Sequence, residues 1–302
     1  LDERHELAIP FEPVAARLRK YKARDPDKTA LVDLDQDGKS ITWGRLHEEA
    51  NRIARWLAGL GVKPGDKVGL LADENIEKLI LWVGIWRLGA VVCPLNVEMN
   101  QAHIREILGN IQPALTLWHK DLDGLAMMEG IPGRVVRFDQ WPAALGATDA
   151  FAEIAGVAPA PEIAHEYTAG DMSAIFCTSG TTSKPKGVVY DHMAYWLSGL
   201  STLDMLGLTA DDKTLEYRSF GWNSAQILSF MPWLQTGLTL HIARRFSYSR
   251  FFDWIRRYGI TFAAGVPTVV NMLLNEPLGV TAADVPTLRL MTCSTAPLSP
   301  EQ

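Results

Sequence analysis

The residues with the densest chemistry are 178-TSGTTSKPKGVV-189. Apart from Lys184 and Lys186, every residue from Thr178 to Gly187 is Gly, Ser, Thr or Pro. Apolar residues flank the stretch, 174-AIFC-177 before it and Val188-Val189 after it. A polar loop between two buried strands is a binding element in waiting. Glycine and small hydroxyl residues let backbone N–H groups approach an anion, and Thr and Ser add O–H donors. Two lysines supply charge that a phosphate would balance. A nucleoside triphosphate is the ligand this pattern suggests. The plainer alternative is a solvated hairpin turn with lysines at its tip, but three Thr, two Ser and two Lys exceed what a turn needs. The loop is not a Walker P-loop, which requires GxxxxGK[ST] and a helix starting on the loop. Here Pro185 removes an N–H, 187-GVVY-190 is strand-like, and the helix comes later, near 192–200.

Elements that could hold such a loop alternate along the chain. Residues 48-EEANRIARWLAGLG-61 place Ala50, Ile53, Ala54, Trp56, Leu57 and Leu60 on one helical face. After the turn 63-KPGD-66, 67-KVGLLA-72 reads as a buried strand, 74–89 as a helix closed by Gly89, and 90-AVVCPL-95 as a strand. A helix near 101–108, strands at 114–118, 239–243 and 260–267, and helices at 248–259 and 268–274 continue the alternation. Residues 139–170 read as a surface connection rich in Ala, Pro and Glu. The spacing predicts α/β units in doubly wound, largely parallel sheets, with helices on both faces. Ligands of such sheets bind beyond the carboxyl ends of the strands, where Thr178 begins its loop.

Composition narrows the classes. Net charge is −6, which argues against nucleic acid as a partner. The three cysteines, Cys93, Cys177 and Cys293, are too far apart for a metal knuckle and odd in number, so a reducing, cytoplasmic setting is expected. The histidines never pair at i, i+4, so no metal-ligating residues are assigned. The longest strongly apolar run, 79-LILWVGIW-86, is too short to span a bilayer. The tail 299-SPEQ-302 reads as the start of a helix without a body, so further sequence is expected after Gln302.

TSGTTSKPKG resembles the phosphate loop of the adenylate-forming superfamily, which includes acyl-CoA synthetases, peptide-synthetase adenylation domains and luciferases. Ser183 stands where that loop most often has Gly. The resemblance extends to 41–74, 87-RLGAVVCPLN-96, 265-GVPTVVNMLL-274 and 294-STAPLSPE-301. It implies that 1–302 is an incomplete N-terminal adenylation domain. Within it, 66–200 form a first α/β subdomain with the loop. Residues 201–302 form part of a second, joined by 1–65, and a small C-terminal domain is absent. It implies that a carboxylate attacks the α-phosphorus of ATP, giving an acyl-adenylate, and that a thiol such as coenzyme A then takes the acyl group. Thr178, Ser179, Gly180, Thr181, Thr182, Ser183, Lys184, Lys186 and Gly187 would surround the phosphates, with Lys186 and Thr181 closest to the chemistry and Mg²⁺ bridging the phosphates. Ser294, Thr295, Ala296 and Pro297 would lie against the adenine. Later family elements are missing, so this chain alone is expected to be inactive.

The same resemblance places Phe220, Gly221, Trp222, Asn223 and Gly265 at the acyl pocket. Gly221 stands where amino-acid-activating members carry Asp and many acyl-CoA synthetases carry His. Small-then-aromatic Gly221-Trp222 suggests an aryl, cyclic or medium-chain acid, unless Trp222 is ordinary core. Asn223 either reaches the pocket or caps the next helix. The implied activity is that of an AMP-forming acyl-CoA synthetase. A domain that loads a carrier protein and a non-catalytic nucleotide-binding protein are the alternatives, and a homodimer is left open. His192, His241 and Cys177 read as surface or core residues, and Arg244, Arg245, Arg256 and Arg257 as a solvated basic face.

Overall fold

In a computed structural model, residues 10–123, 130–163, 165–178, 186–275 and 278–294 are described. The first sheet is built from both ends of the chain. It contains β1 (Thr29–Asp33), β2 (Lys39–Thr42), β9 (Lys213–Glu216), β10 (Thr239–Ile242), β11 (Phe262–Ala263) and β12 (Leu290–Met291), in the order β12-β11-β9-β10-β1-β2. The second contains β3 (Lys67–Leu71), β4 (Val91–Leu95), β5 (Leu115–His119), β6 (Arg134–Phe138), β7 (Met172–Thr178) and β8 (Lys186–Asp191), in the order β6-β5-β3-β4-β7-β8. Each sheet is parallel except at one edge, where β2 and β8 run antiparallel.

Between the sheets lie α2 (Trp43–Gly59) and α3 (Ile76–Leu88). Helix α2 starts on a Thr42 hydroxyl that accepts from the Arg45 N–H, and it buries the face expected from its apolar spacing. Every residue of α3 is buried. That explains its continuous apolar run: a helix covered on all sides has no polar stripe to keep wet. Gly89 closes it at φ 83°, a left-handed angle that glycine takes without a Cβ penalty. One core joins α2 and α3 to both sheets, through Leu31 and Leu240 on one side and Val68 and Leu70 on the other. The outer face of the first sheet is covered by α8 (Phe251–Tyr258) and α9 (Pro267–Asn275), and that of the second by α4 (Gln101–Ile111).

Elements from 43 to 119 fall within a few residues of the sequence expectation, whereas α1 (Val14–Arg24), β1 and β2 had no counterpart in it. The stretch 139–170 is more than a surface connection. It holds α5 (Ala150–Ala155) and buries Trp141, Phe151, Ile154 and Tyr167. Arginines from α2 and α3 fasten its carbonyls: Arg55 donates to Pro161 O at 2.9 Å and Arg87 to Ile163 O at 2.8 Å.

Candidate functional site

Loops leaving the carboxyl ends of strands from both sheets converge on one crevice, the place where open α/β sheets bind ligands. Its larger chamber is a cleft of about 520 Å³. Asn96 and Glu98 enter it after β4, Tyr217 to Ser219 after β9, and Val266 to Met272 after β11. Trp222, about a third exposed, forms part of its wall together with Phe246 and Met272.

A smaller chamber of about 280 Å³ adjoins it at the ends of β1, β3 and β5. Its lining is acidic and includes Asp33, Glu74, Glu77 and Asp121. The deepest of these carboxylates are satisfied by the protein. Asp33 accepts from the backbone N–H groups of Asp35, Gln36 and Ile76, and burial holds its carboxyl above the usual range. Glu77 accepts from Lys39 Nζ at 2.6 Å, Gln36 Nε2 at 2.8 Å and the Trp141 N–H at 3.1 Å. An ion pair between Arg244 and Asp73 forms the wall common to both chambers.

The Thr178–Gly187 stretch joins β7 to β8. Thr178 and Lys186 face each other as the last cross-strand pair of that hairpin, and Lys186 is exposed. Gly187 pairs with Cys177, whose thiol burial pushes up to about 11. Ser179, Gly180, Thr181, Thr182, Ser183 and Lys184 lie outside the described residues, as do Thr295, Ala296 and Pro297. Helix α6 (His192–Leu206) starts only after β8, with Asp191 accepting from the Ala194 N–H, so the loop does not run directly into a helix.

The structure brings Gly265 and Ser294 together. The Ser294 N–H donates to Gly265 O at 3.2 Å, and the Gly265 N–H to Thr292 Oγ1 at 3.2 Å. A Cβ on Gly265 would lie 2.2 Å from Thr292 O, so this glycine allows two strand ends to touch. Ser294 Oγ is buried with no hydrogen-bond partner among the described residues.

The expected acyl-pocket residues divide. Trp222 faces the cleft. Phe220 is fully buried and sits 6.1 Å from Phe230, ring to ring, in the core. Gly221 leaves no room for substrate, because a Cβ there would lie 2.7 Å from Asn96 N and 2.9 Å from Asn96 Cα. The space is filled by backbone from the other sheet. Asn223 does not cap the following turn α7 (Asn223–Ala225), whose N-cap is Trp222 without a side-chain bond. Its amide instead donates to the Tyr190 hydroxyl at 3.3 Å, linking the crevice wall to β8.

His192 and His241 are core residues. Burial lowers them to about 3 and about 4, His192 stacking on Tyr167 at 3.7 Å and His241 contacting Thr214 O at 3.2 Å. Arg244 and Arg245 are not a free basic face, since Arg245 pairs with Glu98 at 2.9 Å beside the Arg244–Asp73 pair. Sequence reasoning missed Asp73, Glu74, Asn96 and Ser219. The available signal was the set of charges Glu74, Glu77, Lys78 and Arg87 in and before an otherwise apolar helix, since buried charge requires partners.

Two mixed sheets flanked by helices, with a Thr/Ser/Lys hairpin at the carboxyl edge, define the N-terminal fold of adenylate-forming enzymes. The chain belongs to the AMP-binding enzyme family, whose pattern matches residues 18–302. A crotonobetaine/carnitine–CoA ligase of Salmonella paratyphi C (strain RKS4594) is 28% identical over 271 residues, covering 83% of this chain and 50% of the ligase. Surfactin synthase subunit 1 of Bacillus subtilis (strain 168) is 29% identical over 260 residues, covering 84% of this chain and 7% of that protein. The crystal structure of ATP-bound MatB from Rhodopseudomonas palustris superposes with a TM-score of 0.81 at 25% identity, over 94% of this chain and 55% of MatB. The inhibitor-bound N-terminal domain of FACL13 from Mycobacterium tuberculosis shares the fold, with a TM-score of 0.83 at 23% identity, over 96% of this chain and 72% of that one. The chain thus spans about half the length of the CoA ligases it matches. No helix among the described residues is long and apolar enough to cross a membrane.

Proposed function

We propose that this chain is an incomplete N-terminal domain of an AMP-forming acyl-CoA ligase, which joins a carboxylic acid to AMP and then to coenzyme A. The observation that carries the reading is the crevice itself. A hairpin ending in Lys186 and an aromatic-walled cleft open at the same carboxyl edge of two sheets, as placing an acid beside a triphosphate requires. Thr178 to Gly187 would hold the phosphates, with Lys186 and Thr181 nearest the transferring group, and Ser294 to Pro297 would border the adenine. These groups would offset the repulsion between carboxylate and phosphate. Mg²⁺ would bridge the phosphates.

The cleft favours an aryl, cyclic or medium-chain acid, with the Trp222 face against a flat or alicyclic group and Met272 and Val269 as apolar walls. Position 221 offers no carboxylate to an amino group, and Asp73 and Glu98 are already paired with arginines. The likeness to surfactin synthase keeps a carrier protein in view as the acyl acceptor. The subdomain reading follows the sheets: 66–200 carry the second sheet and its hairpin, while 1–65 complete the sheet that 201–302 begin. The test is acid-dependent exchange of pyrophosphate into ATP by the complete product of the gene. The panel is benzoate, cyclohexanecarboxylate, octanoate, carnitine and amino acids. Exchange with one acid class supports the reading. A folded protein that binds ATP but exchanges with none of them contradicts it.

A further inference from the structure

The cleft wall from Tyr217 to Trp222 belongs to the first sheet, yet a buried charge of the second sheet's loops holds it. Lys78 is fully buried in α3, and its ammonium donates to Ala72 O at 3.0 Å and to Glu74 Oε1 at 2.8 Å. The same Glu74 oxygen accepts from Ser219 Oγ at 2.7 Å. Ser219 Oγ accepts from the Gly221 N–H at 3.1 Å, and Ser219 O accepts from the Trp222 N–H at 3.0 Å. Gly221 in turn lies against the Asn96 backbone. One chain of contacts therefore runs from α3 through the turn after β9 to the loop after β4, crossing the crevice beside the cleft.

An ion pair this deep is poor as a stabiliser, because desolvation consumes most of the Coulomb attraction, and apolar residues of similar volume often do as well. Its geometry has a different use. Both partners of Glu74 converge on Oε1, so Lys78 fixes the carboxylate and the carboxylate fixes the Ser219 hydroxyl. A serine free to rotate would release the Gly221 amide, and with it the placing of Trp222 in the cleft wall.

We propose that Glu74 is a positioning residue for the acid-binding wall. It holds Ser219, and through it the Gly221–Trp222 backbone, against Asn96. The role rests on the reading of the cleft as the acid site. It also makes Gly221 a contact between sheets, so that selectivity for the acid lies with Trp222 and Met272.

Two double variants separate positioning from simple burial of charge. Glu74→Gln with Lys78→Met removes both charges but keeps an oxygen for Ser219. Glu74→Leu with Lys78→Met removes that oxygen too. Hydrogen exchange at residues 219–222 and calorimetric titration with benzoate, cyclohexanecarboxylate, octanoate and ATP are compared between them. The expected result is amide exchange at Gly221 and Trp222 at least tenfold faster in the leucine variant. Its affinity for the acid that binds should fall about tenfold relative to the glutamine variant, with ATP affinities of the two within about twofold. Equal exchange and equal acid affinity in the two folded variants overturn the proposal, as does a matching loss of ATP and acid affinity. If the leucine variant does not fold, Ser219→Ala provides the same comparison against the unaltered chain: faster exchange supports the relay, unchanged exchange overturns it. Failure of every acid to bind the unaltered protein counts against the acid-site reading, and the exchange rates still decide whether Glu74 holds the wall.

Discussion

The acidic chamber at the ends of β1, β3 and β5 and the cleft at the ends of β4, β9 and β11 share the Asp73–Arg244 pair as a wall, yet only the cleft is lined by apolar side chains. In the acidic chamber, Asp33 and Glu77 take their hydrogen bonds from Lys39, Gln36 and backbone N–H groups, and these tie β1, β2 and α3 together. In the cleft, Trp222, Phe246 and Met272 present apolar surface to the open space. Density of charge marks where the protein holds itself together. Uncovered aromatic surface beside an exposed lysine hairpin marks where it would hold something else.

The largest effect is expected at Glu77. Glu77→Ala leaves the buried Trp141 N–H and the Lys39 ammonium without a partner, so urea denaturation should show a loss of roughly 3–5 kcal/mol. Trp222→Ala in the cleft should cost less than about 1 kcal/mol of stability, because the ring is partly exposed, while acid binding weakens clearly. Equal losses of stability at the two sites would erase the distinction.

Acidification tests the buried histidines that stand outside both chambers. Burial depresses His192 to about 3 and His241 to about 4, so both are neutral in the folded chain, and the unfolded chain binds more protons below its ordinary histidine value. Their contribution is intact above about pH 6.5 and declines as pH falls from there toward their folded values. Each should account for about 2 kcal/mol lost between pH 7 and pH 5, at 1.36 kcal/mol per pH unit. The expected pattern is a denaturation midpoint that falls less over that range in a His192→Gln, His241→Gln variant than in the unaltered chain, the remaining fall coming from His47 and His119, which burial also lowers.

Gly221→Ala probes the contact between the two loops of the cleft wall. The new Cβ meets Asn96 N at 2.7 Å, so the two loops must part, at a cost of roughly 1–3 kcal/mol. Acid binding should weaken for small and bulky acids alike, as measured with acetate and cyclohexanecarboxylate. A selective loss of bulky acids would restore glycine as a source of pocket volume.

The sequence made the alternation of strand and helix from 43 to 119 legible because its apolar residues follow element periods and its glycines mark the ends, as at Gly61 and Gly89. It hid β1 and β2, because two short strands make sense only beside β10, some two hundred residues away. The strands that flank the Thr178–Gly187 stretch were legible from their apolar and β-branched residues. The cleft wall was not, because Asn96, Ser219 and Asp73 resemble surface polar residues until the sheets meet. Gly221 misled for a related reason: an absent side chain reads as room, and here the room is occupied by a distant backbone.

Lys186 offers the most direct test of the central claim, that this edge of the fold binds the triphosphate. It is exposed at the mouth of the hairpin, so Lys186→Ala should leave the denaturation midpoint in place. Calorimetric titration with ATP should show binding weakened by roughly 1.5–3 kcal/mol, the loss of a charge-assisted contact. Equal ATP affinity in the folded variant and the unaltered chain would contradict the placement of the phosphates at this hairpin.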